Sequence, residues 1–560
     1  MNAVKMSDTE YHLFIRPDTN TEGHTQWFYF KVANMIKGTK YTFKIVNFNK
    51  KHSAFRKGMK PTVFSSKRYT ATKEGWDSTE VREVDYFLSP FNKTMNSVTT
   101  NKYKEFYGSD EGAESKPEIG DGNLNVKAKK LYCLAFTYEW RYAGDEVFFA
   151  FAEPYSYYRW NSFLENIENK PSIKNKDIVY VKKELWKTLG GRSVYLIKIT
   201  NKSKSNVQKQ GIVITARCHP GETVGSFVME GVITNLIKTN CPIADYLREK
   251  CIFYIVPMIN PDGVCAGNNR TSLAGVDLNR RWRKPDMVLL PEVFYLKSFI
   301  EEMTSDHITI FVDLHGHSKK NNWFVYGNSY SRSSQKDKFW QVRFLAKILN
   351  KIAPMFSYDN CAFSNVRCKD STARSVLGKN IGILNWFTLE SSFHAFRYFN
   401  MKKRGYVQCK YTSNDYQAMG DYLWKGIFAT IKAFYDTVDG IEYNVNTSRN
   451  NRELANNSVT VNSLARKAHL VIQDPQFLKK KRRGAKKSPK PADSPMKIEI
   501  GEDDNSKLQF GLSSLETSVL ENNLFMNDLM GDYAEKLETR VENSLEEAKV
   551  RIMFHVLEIR

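Results

Sequence analysis

The sequence predicts an antiparallel β-sandwich, then a layered α/β domain, then a C-terminal tail of low order. Three observations carry this. Short, aromatic-rich, partly alternating runs fill the chain up to about residue 155. From about 160 to 437, near-continuous apolar runs alternate with helical periodicity. Beyond that, regular apolar strands stop. The expected domains are therefore 1–155, 156–437 and 438–560, since 560 residues are too many for one ordinary core.

In the first region HTQWFYFKVANM (24–35), KYTFKIVNF (40–48), VREVDYFLS (81–89), KKLYCLAFTYEW (129–140) and EVFFAFAEPY (146–155) read as strands. SDEGAESKPEIGDGN (109–123) reads as a long exposed loop. In the second, RSVYLIKIT, GIVITA, CIFYIVPMIN, ITIFVDLHG, NWFVYG and GILNWFTLESSF read as buried strands. Residues 223–238, 291–303, 338–353 and 414–435 carry helical spacing. In the third, a polar, Asn-rich stretch precedes KKKRRGAKKSPKP (479–491) and an acidic-leaning end with helical pattern. Together they read as a mostly disordered or loosely helical tail. The basic run has two readings: a solvating tail, or a dock for acidic polymer or nuclear import.

The net charge is +22 and the pI about 9.3. A basic surface implies acidic partners: nucleic acid, anionic membrane or acidic protein segments. No nucleic-acid reading motif occurs, so no specific nucleic acid is expected. No run approaches the length of a membrane span, and the N-terminus lacks a leader pattern. The eight cysteines contain no CxxC pair, which favours a reducing compartment. A soluble, cytoplasmic protein without membrane association is expected.

TARCHPGE (215–222) places His219 and Glu222 three positions apart, across Pro-Gly, at a strand end. Alone it reads as either a metal half-site or a turn with two polar residues. ITIFVDLHGHS (308–318) brings His315 to a second strand end. Two strand ends can then deliver His219, Glu222 and His315 to one point. Two imidazoles and a carboxylate with an open fourth position are a catalytic zinc arrangement. Glu390, ending a third apolar strand, suits a general base, although by itself it is a sheet-edge glutamate. Between the histidine strands lies NPDGVCAGNNRTSLAGVDLNRRWRKP (260–285), with Arg270, Asn279 and Arg280. Guanidiniums and amides beside a dication suit carboxylates; the plainer reading is a solvated basic loop. Cys218, His317 and His394 read as packing, loop or supporting residues rather than ligands.

HPGE, GNNRTSLAGVDLNRRW, DLHGHS and TLESSF, in this order, resemble zinc carboxypeptidases of the funnelin type. The likeness is greatest to the cytosolic carboxypeptidases, the tubulin deglutamylase family. RPDTNTEGHTQWFYFKVANM (16–35) and AFAEPYSYYRW (150–160) are similar to that family's N-terminal β-sandwich. The resemblance covers about residues 8 to 437. It implies an α/β/α zinc carboxypeptidase domain with a mixed central sheet and one Zn²⁺ held by His219, Glu222 and His315. Glu390 would be the general base and then proton donor, and Arg270 would stabilise the oxyanion. Asn279 and Arg280 would clamp the terminal α-carboxylate, and Asp277 would orient His219. The family's digestive members use a tyrosine upstream of the glutamate, and none occurs between Asp359 and Leu389 here. KDSTARSVLGK (369–379) stands there instead. Its Arg374 would face a departing acidic side chain, with Lys320 adding to the same positive pocket.

The resemblance therefore implies a protein deglutamylase acting on tubulin, microtubules or other proteins with glutamate-rich C-terminal tails, in the cytoplasm, at microtubules or cilia. Two other readings stay open: a carboxypeptidase for another terminal residue, and a non-catalytic microtubule or acidic-tail binding protein on the same fold. The oligomeric state is not legible.

Overall fold

The computed structural model describes residues 1–91, 130–174, 178–202, 209–303, 308–364, 369–380, 382–400 and 404–435. The loop at 109–123, the basic run and the expected helices of the tail lie outside the described residues. The chain divides into two compact units, Met1–Glu168 with Lys176–Tyr443, and Asn169–Asn175 with Asn444–Arg560. Both structured regions anticipated above belong to the first unit. In the second, the described part is a single helical turn at Pro171–Lys174, labelled α3.

Residues up to 150 build two packed sheets. β1 (Asn2–Lys5), β2 (Glu10–Phe14), β4 (Lys40–Phe48), β6 (Arg82–Leu88) and β7 (Tyr132–Glu139) form one, in the order β1-β2-β4-β7-β6. β3 (Tyr29–Val32), β5 (Thr62–Ser65) and β8 (Val147–Ala150) form the other, in the order β3-β8-β5. Helix α1 (Ser66–Thr72) follows β5. Alternation along β4 sends Tyr41, Phe43 and Ile45 inward. Phe43 and Phe136 from the larger sheet meet Phe149 from the smaller, with ring centroids 5.2 and 5.6 Å apart. The pairs are antiparallel except β2–β4, which is parallel. The reason lies in the connection: the chain leaves β2, crosses into the other sheet as β3, and returns as β4 running the same way as β2.

The second region is organised by one eight-stranded sheet. Its strands are β9 (Ile178–Lys187), β10 (Ser193–Asn201), β11 (Gln210–Ala216), β12 (Cys251–Val256), β13 (Ile308–His317), β14 (Trp323–Gly327), β15 (Ala362–Phe363) and β16 (Asn385–Ser392). The order is β15-β14-β16-β13-β11-β12-β10-β9. β12, β11, β13 and β16 are parallel, whereas β10 joins β12 and β14 joins β16 antiparallel, so the sheet is mixed. Of the parallel strands, β11, β13 and β16 are buried along almost their whole length, as their continuous apolar runs require.

The helices of this region are α2 (Tyr157–Glu168), α4 (Val224–Leu236), α5 (Pro242–Lys250), α6 (Pro261–Ala266), α7 (Pro291–Glu302), α8 (Lys336–Ile352), α9 (Ala373–Asn380) and α10 (Ser413–Phe434). α7 and α9 share a core with Val213, Phe311 and Trp386 on one face of the sheet. α4 covers the other face, its Gly225 against Leu314 of β13. α10 packs on α4 so closely that a Cβ on Gly231 would lie 2.1 Å from the Gln417 carbonyl oxygen. A hairpin of β17 (Ala395–Asn400) and β18 (Gly405–Lys410), not anticipated from the sequence, follows the central sheet.

Candidate active site

β11 lies between β12 and β13, and the chain goes first to β12 and only later to β13. This reversal of winding opens a crevice at the carboxyl ends of β11 and β13. After β11 the chain turns sharply. Arg217 adopts a left-handed φ of 59°. Its buried guanidinium donates to the Pro220 carbonyl at 3.0 Å, Ser226 Oγ at 2.9 Å and the Tyr155 carbonyl at 3.1 Å. The Gly221 amide donates to the Asn269 carbonyl at 3.0 Å, and a Cβ on Gly221 would sit 2.9 Å from that same oxygen. The Pro-Gly step is thus pinned on both sides, and His219 and Glu222 face one point.

His315 reaches that point from β13. His219 Nδ1 lies 2.9 Å from Glu222 Oε1, and His315 Nδ1 lies 2.9 Å from Glu222 Oε2. The three donor atoms sit within 4.8 Å of one another. Each imidazole turns its other nitrogen to a carboxylate: His219 Nε2 to Asp277 at 3.1 Å, and His315 Nε2 to Asp313 at 2.7 Å. Those bonds hold both rings with Nδ1 toward the shared point. Burial works to raise the Glu222 carboxyl, but the two imidazoles outweigh it and hold the group well below its ordinary range. Two nitrogens, each oriented from behind by a carboxylate, together with the Glu222 carboxylate, fit zinc.

Glu390 is the register partner of His315 and lines the same cleft. Burial pushes its carboxyl up to about 7; the His315 charge opposes this and the Glu222 charge adds to it. Arg270 Nε donates to Asp277 Oδ2 at 2.7 Å, so one carboxylate orients both His219 and Arg270. Asn279 Oδ1 accepts the Ala373 amide at 3.0 Å, and Arg280 Nη1 donates to the Asn279 carbonyl at 2.8 Å. Arg374, at the start of α9, is buried and donates to the Gly327 carbonyl and Asn328 Oδ1, both at 2.9 Å. Neither partner carries charge, so its guanidinium is not neutralised by them. Glu390, Arg270, Asn279, Arg280 and Arg374 line one cleft of about 400 Å³ with the three metal-donor residues.

The cleft is strongly cationic. Lys50, Arg270, Arg280, Lys319, Lys369 and Arg374 line it, against Glu222 and Glu390. Lys320 does not line it, which corrects the expectation from sequence. Its ammonium donates to the Asn360 carbonyl at 3.1 Å and lies over the rings of Phe324 and Tyr326. The strand turns there, and Lys319, one residue earlier, faces the cleft instead. Cys218 is a buried free thiol. His317 Nδ1 accepts the Lys319 and Lys320 amides, and His394 Nε2 donates to the Lys57 carbonyl at 2.9 Å; neither belongs to the His219–Glu222–His315 donor cluster.

Besides Lys319, sequence reasoning missed Asp313, Lys369, Tyr326 and Lys50. Asp313 had a legible signal: two residues before His315 on one strand, it shares the histidine's face. Lys369 opens the segment that contains Arg374. Tyr326, on β14, brings a phenol to the cleft from an element other than the loop upstream of Glu390. Lys50 comes from the N-terminal sandwich, and no local pattern could have placed it here.

Residues 165–358 match the zinc carboxypeptidase family, and residues 1–89 match the cytosolic carboxypeptidase N-terminal domain. Cytosolic carboxypeptidase 2 of Mus musculus is 35% identical over 396 residues, 70% of this chain and 41% of that protein. Cytosolic carboxypeptidase 2 of Danio rerio is 33% identical over 423 residues, 73% of this chain and 53% of that protein. The chain thus spans about half, or less, of the length of these relatives. Among solved structures, a metallo-carboxypeptidase from Burkholderia cenocepacia aligns with a TM-score of 0.56 at 21% identity, covering 77% of this chain and 96% of its own. One from Pseudomonas aeruginosa aligns with a TM-score of 0.53 at 21% identity, covering 77% and 95%. At these identities the solved structures speak for the fold.

Proposed function

The chain belongs to the cytosolic carboxypeptidase family of zinc carboxypeptidases, and from that premise we propose that it removes C-terminal glutamates from acidic protein tails, polyglutamylated tubulin among them. The observation that carries this is the meeting of the His219–Glu222–His315 donor set and Glu390 in a cleft whose other charged side chains are all cationic.

A zinc ion held by the three donors supplies Lewis-acid chemistry, polarising oxygen and acidifying water. The chain's own groups do the rest. Glu390 takes a proton from the attacking water as the new C–O bond forms, and passes it to the amine nitrogen as the C–N bond breaks. Arg270, held by Asp277, directs its guanidinium at the developing oxyanion. Asn279 and Arg280 bind the terminal carboxylate, which an internal peptide bond lacks, so the reaction is confined to chain ends. Arg374 and Lys369 face the departing side chain and favour a carboxylate there.

A different terminal residue, or tail binding without turnover, are the readings to exclude. The test is mass spectrometry of glutamylated tubulin tails incubated with the zinc-loaded chain. Stepwise loss of single glutamyl residues is expected. Unchanged tails, or release of neutral terminal residues in preference to glutamate, would defeat the proposal.

A further inference from the structure

The N-terminal sandwich does not merely precede the catalytic sheet; it reaches into the loop that carries Arg270. Asp18 is 5% exposed. Its carboxylate accepts the backbone amides of Asn269 at 2.6 Å, Arg270 at 2.7 Å and Thr271 at 2.9 Å, and the Thr271 hydroxyl at 3.2 Å. One donor meets Oδ1 and three converge on Oδ2. On either side, Thr19 donates through its amide and hydroxyl to Asn268 Oδ1, both at 3.0 Å, and Asn20 Nδ2 donates to the Leu273 carbonyl at 2.7 Å. Gly275 admits the Asn20 carbonyl so closely that a Cβ would lie 2.2 Å from its oxygen.

The gripped loop is the one on which the site depends. Arg270 is its central residue, and the Asn269 carbonyl accepts the Gly221 amide of the ligand turn. The Arg270 side chain is oriented by Asp277, but its backbone is held by a different domain. A charged acceptor facing three successive amides is a strong restraint on a loop that has no strand or helix to hold it.

We infer that Asp18 is a positioning residue for Arg270, through which the N-terminal sandwich sets the geometry of the oxyanion site. This rests on the reading of Arg270 given above, so the test includes a readout independent of turnover.

The full chain carrying Asp18→Asn, a nearly isosteric change that turns one acceptor into a donor facing amides, is compared with the unaltered chain. Amide hydrogen exchange at residues 269–271 should accelerate by ~10-fold or more, with exchange in the central sheet unchanged. On a short polyglutamate peptide, kcat should fall roughly 10- to 100-fold, with zinc content retained, as expected when a reacting group is displaced by about 1 Å. In an Arg270→Ala background the same change should cost no more than ~2-fold, because both act through one group. Unchanged exchange at 269–271 overturns the inference. So does an equal loss with and without Arg270, or a loss explained by released zinc or a lowered Tm, which would make Asp18 a stability residue. If the unaltered chain leaves the peptide intact, the proposed function fails, and the exchange comparison alone decides the positioning.

Discussion

His315 and Glu390 stand directly opposite each other in the parallel β13–β16 ladder. Register partners in a parallel pair point the same way, so neighbouring strands carry a metal ligand and a carboxylate to one spot without help from any loop. Strand-borne groups are held more rigidly than loop-borne ones, which suits the proton-carrying role proposed for Glu390.

Removing that carboxylate should separate chemistry from binding. Glu390→Gln should lower turnover of a glutamate-terminated peptide by roughly 10²- to 10⁴-fold, the range for loss of a general base, with zinc content unchanged. Steady-state kinetics with metal analysis of the same sample measures both. Full turnover would remove Glu390 from the mechanism.

Asp313 accepts from His315 Nε2 and also from the Thr215 hydroxyl at 2.8 Å. It therefore orients the imidazole from behind. Asp313→Asn should weaken zinc affinity about 10- to 100-fold, as loss of such partners does elsewhere. Competition against a chelator reads this directly, without reference to activity.

Arg374 and Lys320 should behave differently. Arg374→Leu should depress release of C-terminal glutamate much more than release of a neutral residue, because a buried cation facing the cleft is lost. Lys320→Ala should leave that ratio unchanged within ~2-fold, since its ammonium is engaged outside the cleft. A peptide pair differing only in the terminal residue gives both ratios. Equal effects of Arg374→Leu on the two peptides would defeat the pocket assignment.

Glu292, in α7, is 1% exposed, and its Oε2 has no hydrogen-bond partner among the described residues. Burial, with the Asp262 charge adding, pushes its carboxyl up from 4.5 to about 7. Between those values the folded chain keeps a proton that the unfolded chain has released. Its contribution is thus fully present below 4.5 and is lost as pH rises through about 7. Glu292→Gln should stabilise the chain by about 3 kcal/mol at about pH 8 and by much less at about pH 5. Denaturant unfolding at the two pH values checks it; a gain that is the same at both would contradict the assignment.

Much of this was legible in the sequence. The continuous apolar runs ending in His219–Glu222, His315 and Glu390 identified three buried strands and their functional ends, because burial on both faces of a parallel sheet demands such runs. HPGE and the second histidine strand raised His219, Glu222 and His315 as candidate ligands, and the loop 260–285 raised Arg270, Asn279 and Arg280 as candidates for a cationic site. Local pattern could determine these because each lies within one element or one turn. What it could not determine depends on which elements become neighbours. The strand order makes His315 and Glu390 register partners, the turn of the chain after His317 carries Lys319 rather than Lys320 into the cleft, and β14 supplies Tyr326. Above all, the contact of Asp18 with the amides of Asn269, Arg270 and Thr271 spans some 250 residues of sequence. Backbone amides carry no sequence signature, so only the tertiary fold could reveal that a residue of the N-terminal sandwich holds the loop that carries Arg270.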